Sequence, residues 1–110
     1  MSKEDQQFIH RIKDIIGNNL RNPQLSVDFL ANHLGMSVSS LYKKVHAITG
    51  HSTIDLIIDY RIFQAVEFMR DGQTNMTLIA EQCGFSDLRS FRAAFKSRMN
   101  VSPKQYAQQL

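Results

Sequence analysis

Residues 79–96 read Ile79-Ala80-Glu81-Gln82-Cys83-Gly84-Phe85-Ser86-Asp87-Leu88-Arg89-Ser90-Phe91-Arg92-Ala93-Ala94-Phe95-Lys96. An apolar segment runs into Gly84, a serine follows, and a second segment opens in which Phe91 and Phe95 lie one helical turn apart. The pattern is helix, tight turn, helix. About 50 residues upstream it is written once before: Leu30, Ala31, Gly35, Ser37, Leu41 and Val45 stand where the later copy has Ile79, Ala80, Gly84, Ser86, Phe91 and Phe95. One residue is inserted in the later copy between Ser86 and Phe91. A chain that carries such a unit twice has duplicated a recognition device rather than a catalytic one.

Between the copies, Ser52 or Thr53 starts the longest helical pattern, with Ile54, Ile57, Ile58, Ile62, Ala65, Val66 and Met69 at three- and four-residue steps before Asp71-Gly72 stops it. At 1.5 Å per residue the stretch from Ile54 to Arg70 spans roughly 25 Å, so the spacing predicts a rigid spacer. Upstream, Ser2 and Asp5 form a capping-box-like pair, and Phe8, Ile9, Ile12, Ile15, Ile16 and Leu20 follow at helical spacing. This first helix is expected to end near Asn22, ahead of Pro23. Ser26 is the expected cap for a helix from Val27 to Leu34, and Ser37 for one that closes at Thr49-Gly50. In the second unit the first helix is expected from Thr77, and Ser102-Pro103 opens a short last helix. The fold class is therefore all-α, about seven helices, with two helix-turn-helix subdomains joined by a long linker helix. The expected division is 1–51 for the first helix and first subdomain, 52–71 for the linker and 72–110 for the second subdomain.

A chain of 110 residues with 43% apolar content holds one compact domain, or two very small ones sharing a core. Cys83 is the single cysteine, which permits no internal disulfide and no cysteine-rich metal site and fits a reducing cytoplasm. Met1 to Asp5 is polar, and no apolar run approaches the roughly 18 residues a spanning helix needs, so no signal peptide and no membrane contact by this segment are expected. His10, His33, His46 and His51 offer no i, i+4 ligand pair. Neither a metal nor another cofactor is expected, and with no paired carboxylates, triad or phosphate loop an enzyme is disfavoured. Cys83, Phe85, Phe91 and Phe95 read as core, and Met36, Met69, Met76 and Met99 as core or rim.

The net charge of +3 is unevenly spread. From Ser86 to Lys104, Arg89, Arg92, Lys96, Arg98 and Lys104 face Asp87 alone, and from Ser37 to His51 Lys43 and Lys44 stand with no acid. Both clusters fall on the second helix of a unit, the helix that a helix-turn-helix presents to the major groove. Rotation by about 100° per residue turns Leu41, Val45 and Ile48 inward and leaves Ser39, Lys43 and His46 opposite, with Tyr42 on the flank. In the second unit Phe91 and Phe95 turn inward, Arg89, Ala93 and Lys96 lie opposite, and Arg92 is on the flank. The candidates for base contact are Ser39, Tyr42, Lys43, Arg89, Ser90, Arg92 and Ala93. Arg89 has the geometry for a guanine's two acceptors, Lys43 reaches guanine or phosphate, and Ala93 offers a methyl contact to thymine. The phosphate candidates are Lys44, His46 and Lys96, with Arg92 able to serve either role and backbone amides at the helix starts assisting. Arg61, on a mostly apolar helix, either pairs with a carboxylate to brace the units or meets a phosphate. A helical protein-interaction module is the competing reading.

The run Ile79-Ala80-x-x-Cys83-Gly84-Phe85-Ser86-x-x-x-x-Phe91-x-x-x-Phe95-Lys96, followed by Ser102-Pro103-x-x-Tyr106, resembles the signature of the AraC/XylS class of bacterial transcription regulators. The resemblance extends back through Arg61-Ile62-x-x-Ala65 and the first unit, from about Asn22 to Leu110. It implies a cytoplasmic, non-enzymatic domain that places two recognition helices in successive major-groove segments of double-stranded DNA, with RNA polymerase as a further partner. Ala93 stands where many members have Arg or Lys, which shifts base reading in the second unit towards Arg89 and Arg92. Asn100 stands where many have Gly, and Asn tolerates a left-handed conformation. The first helix and Ser39-Ser40-Leu41-Tyr42-Lys43-Lys44 are similar to output domains of Bacteroides-type hybrid two-component sensors. That similarity implies sensor or effector domains of the same chain outside these residues, a histidine kinase among them.

Overall fold

A computed structural model describes residues 1–110. The chain forms seven helices and no strand: α1 (Lys3–Asn18), α2 (Val27–His33), α3 (Val38–Thr49), α4 (Thr53–Arg70), α5 (Met76–Gln82), α6 (Leu88–Met99) and α7 (Pro103–Gln108). They divide into two compact units, Met1–Tyr60 and Arg61–Leu110, with the boundary inside α4.

Side-chain caps fix where most of these helices start. Ser2, Ser26, Ser37, Asn75, Asp87 and Ser102 are extended at the N-cap, and each accepts a hydrogen bond from the backbone amide three residues on. Such a cap contributes about 1 kcal/mol by satisfying an amide that the helix itself leaves unpaired. At Ser102 the bond is reciprocal, because Gln105 Oε1 accepts from the Ser102 amide at 3.1 Å.

The turns between the paired helices are the same device in both units. After α2, the Gly35 amide donates to Asn32 O and the Met36 amide to Ala31 O, at 3.1 and 3.0 Å. After α5, the Gly84 amide donates to Glu81 O and the Phe85 amide to Ala80 O, both at 3.0 Å. This crossed pair ends a helix through one left-handed residue, and Gly35 (φ +65°) and Gly84 (φ +87°) take that place. A β-carbon there costs about 1 kcal/mol.

In the first unit Ile9, Ile12, Ile16, Leu20, Leu25, Leu30, Ala31, Leu41, Val45 and Ile57 form one buried cluster. α1 packs on α2, and α2 on α3. In the second unit Ile62, Ala65, Val66, Met69, Ile79, Ala80, Cys83, Phe91 and Phe95 are buried. There Phe85, Phe91, Phe95 and Tyr106 follow one another in ring contact at centroid distances of 5.3, 5.8 and 5.7 Å. Burying each large apolar side chain contributes about 1.5–3 kcal/mol, so the aliphatic first core and the aromatic second are comparable solutions.

Two local boundaries differ from expectation, each through a short-range hydrogen bond that spacing does not reveal. α1 stops at Asn18 instead of Asn22, because Asn19 leaves helical geometry and its Nδ2 donates to Ile15 O at 2.8 Å. Successive turns, Asn22 N to Asn19 O and Leu25 N to Asn22 O, then lead to α2. α5 starts at Met76, one residue before Thr77, because Asn75 Oδ1 accepts from the Leu78 amide at 3.1 Å. Asp87, one residue past Ser86, does for α6 what Ser37 does for α3. The inserted residue of the second unit therefore lies in the turn, ahead of the helix.

Candidate nucleic-acid interface

α3 buries Leu41 and Val45 completely and turns Ser39, Tyr42, Lys43 and His46 to the exposed side. Tyr42, 45% exposed, stacks on His46 with ring centroids 5.6 Å apart and an interplanar angle of 17°. The two rings thus form one aromatic edge of the exposed face. Ser40 is drawn into the cap, where the Ser37 hydroxyl donates to Ser40 Oγ at 2.9 Å. Lys44 is exposed but lies on the flank towards α1, its Nζ 4.2 Å from the centroid of the Phe8 ring. Reaching a phosphate would forfeit that cation–π contact, worth about 0.5–1 kcal/mol at an exposed site. Phe8 had signalled only core packing in the sequence, since its half-buried ring shows its use only when α1 and α3 are brought together.

On α6, Phe91 and Phe95 are fully buried, while Arg89, Ser90, Arg92, Ala93 and Lys96 are all exposed. Inward Leu41 and Val45 match inward Phe91 and Phe95, so the stripe Ser39, Tyr42, Lys43, His46 corresponds to Arg89, Arg92, Ala93, Lys96. Asp87 Oδ1 accepts from the Ser90 amide at 2.6 Å. That bond first, then the Ser90 side chain and the charge of Arg89, hold the Asp87 carboxyl below the usual carboxylate range. Ser90 is accordingly engaged at the helix start, as Ser40 is in the first unit. Helical spacing does not mark Asp87 as a member of this surface, because it precedes the first residue of α6. Its signal was available: it is the one acid among the basic side chains of this region.

Arg61 rests against an aromatic ring rather than a carboxylate. Its guanidinium carbon lies 5.9 Å from the centroid of Phe85, and its buried Nε has no hydrogen-bond partner. Burial lowers its pKa from the ordinary value. Cys83 is fully buried, and burial pushes its thiol up to about 12, so it is an un-ionised core residue at neutral pH. No group of three or more His, Cys, Asp or Glu is gathered for a metal ion. No helix is long and apolar enough to cross a membrane.

Comparison with known proteins agrees with this geometry. The family described as "Helix-turn-helix domain" matches residues 30–109. The chain is 27% identical over 106 residues to a protein named histidine kinase P4 from Formosa agariphila, covering 96% of this chain and 8% of that protein. It is 27% identical over 85 residues to the HTH-type transcriptional activator RhaS of Escherichia coli, covering 77% of this chain and 31% of that protein. The chain thus spans less than a third of the length of these curated relatives. Among solved structures it resembles the C-terminal domain of AraT, a response regulator from Geobacillus stearothermophilus. The TM-score is 0.83 at 27% identity, over 93% of this chain and 84% of that one. The duplicated helix-turn-helix, the glycine turns and the matched span lead to one assignment: the chain belongs to the AraC-type helix-turn-helix family of DNA-binding transcription regulators.

Proposed function

We propose that α3 and α6 are the recognition helices of a sequence-specific, double-stranded DNA-binding domain, and that their exposed stripes divide the reading between them. The observation that carries this is the pair of equivalent outer faces, polar and free of acid within both helices, each held out by a glycine turn and a buried opposite face. Arg89 reads guanine through O6 and N7, with Arg92 beside it, and Ala93 leaves room for a thymine methyl. Ser39, Tyr42 and Lys43 read the other segment with hydroxyl groups and one cation. Lys96 and His46 hold phosphates, and Lys44 joins them when it leaves Phe8. The names of the histidine kinase and response-regulator relatives support a place as the output domain of a larger two-component or ligand-sensing regulator. In that setting the compartment is the cytoplasm, RNA polymerase is a partner, and any catalysis belongs to other domains.

A mobility-shift titration against a randomised duplex pool tests the reading. A complex should form at low salt and weaken steeply as salt rises, each neutralised phosphate contributing about 0.9 to the log–log slope. Folded protein giving no complex at low salt would rule the reading out in favour of a protein-interaction module. On a selected site, Arg89→Ala should weaken binding by about 1–3 kcal/mol and relax preference at one base pair, while Lys96→Ala weakens every sequence alike. Equal losses on all sequences for Arg89→Ala would remove its base-reading role.

A further inference from the structure

Asp87 is the lone acid between Glu81 and Leu110, and it stands at the N-terminus of α6 among Arg89, Arg92 and Lys96. The equivalent position of the first unit is neutral. Ser37 caps α3 in the same way, its Oγ accepting from the Ser40 amide at 3.1 Å, so the cap itself does not require a charge. Ser, Asn and Asp are near-equal N-caps. What differs is the ligand each helix start can accept. The unpaired amides and the dipole of a helix N-terminus attract phosphate. At α3 nothing negative competes for that place, whereas at α6 an exposed carboxylate already fills it, 2.6 Å from the Ser90 amide.

We propose that Asp87 is a specificity determinant that acts by repulsion: it denies the α6 N-terminus to DNA phosphates, so the second unit binds tightly only where base contacts hold the helix in place. The physics is that of selection by penalty. Non-specific binding is nearly all phosphate attraction, so a fixed negative charge on the reading helix weakens it most. In the base-read complex, Arg89 and its neighbours set the position of the helix and the same charge matters less. The inference rests on the reading of α6 as a DNA-facing helix.

The test compares wild type, Asp87→Ser, Asp87→Asn and Lys96→Ala on a random duplex and on a site selected from a library, across a salt series. Asp87→Ser should bind the random duplex about threefold more tightly at low salt, the Coulomb value for unit charges ~7 Å apart in water. Its log–log salt slope should steepen by up to about 0.9. The selected site should gain less, so the ratio of selected to random affinity falls, and Asp87→Asn should repeat the result with the side-chain shape retained. Unchanged affinity and slope in both Asp87 variants, with Lys96→Ala weakened, would reduce Asp87 to a cap and leave α6 on the DNA. Loss of affinity confined to the selected site would replace repulsion by a direct base contact. If Lys96→Ala is also without effect on the random duplex, the DNA-facing reading of α6 falls together with the inference.

Discussion

Thr53 is 2% exposed, and its hydroxyl oxygen has no hydrogen-bond partner. It is the first residue of α4, following Ser52, whose Oγ accepts from the Asp55 amide at 3.2 Å. Pro103 has the same place in α7, buried behind the Ser102 cap. The first helical amide is unpaired in any helix, so proline fits there without loss. Threonine brings similar bulk with an alcohol attached, and leaving that alcohol unsatisfied costs about 1–3 kcal/mol. Thr53→Val should therefore stabilise the protein by about 1 kcal/mol in urea unfolding, and a destabilised variant would mean that the hydroxyl is satisfied in solution. Gly17 shows a second constraint of this kind. A β-carbon there would lie 2.7 Å from Tyr60 Oη, so a glycine in the last turn of α1 leaves room for the Tyr60 side chain from α4. Spacing marked Thr53 only as a possible start and left Gly17 unremarked. The reason for each residue lies in a neighbour distant in sequence.

The helices illustrate how one element serves two roles. Gly50-x-Ser52-Thr53 closes the first unit as Asn100-x-Ser102-Pro103 closes the second, and Ile62, Ala65 and Met69 open the second core at the spacing of Ile9, Ile12 and Ile16 in the first. α4 is thus the last helix of one unit and the first helix of the next, which is why the boundary at Tyr60 and Arg61 falls within it. Its apolar pattern was legible, but not that the pattern belongs to two cores. At α6 the cap sets a pH dependence. The Asp87 carboxyl is held below its ordinary value by the helix start, so its contribution is fully present above the unfolded carboxylate pKa, near 3.9, and is lost as pH falls through the lower folded value. Wild type should lose melting temperature relative to Asp87→Asn as pH falls from about 5 to 2. Parallel curves would show that the carboxylate gains nothing from the cap. The other end of α6 follows its sequence reading: Asn100 is left-handed at φ +65°, matching Gly50 at +76° after α3.

For the molecule as a whole, the two units share a scaffold but differ in the exposed faces of α3 and α6. Ser39, Tyr42, Lys43 and His46 form a mildly basic face with an aromatic edge, while Arg89, Arg92 and Lys96 form a strongly basic face around Ala93 and begin at an acid. Site selection from a random duplex library should return a two-part asymmetric sequence, with Arg89→Ala relaxing one part and a Tyr42→Ala, Lys43→Ala variant the other. A palindromic consensus, or relaxation of both parts by either variant, would mean that the halves are not read separately. The sequence by itself determined the helical class, the duplication, the glycine turns and the inward and outward faces of α3 and α6. These depend on local spacing and on backbone conformations that few residues adopt. Tertiary structure alone decided that Lys44 rests on Phe8, that Arg61 lies over Phe85, and that Thr53 is buried with its hydroxyl unpaired. Each depends on the distance between residues far apart in the chain, which periodicity does not encode.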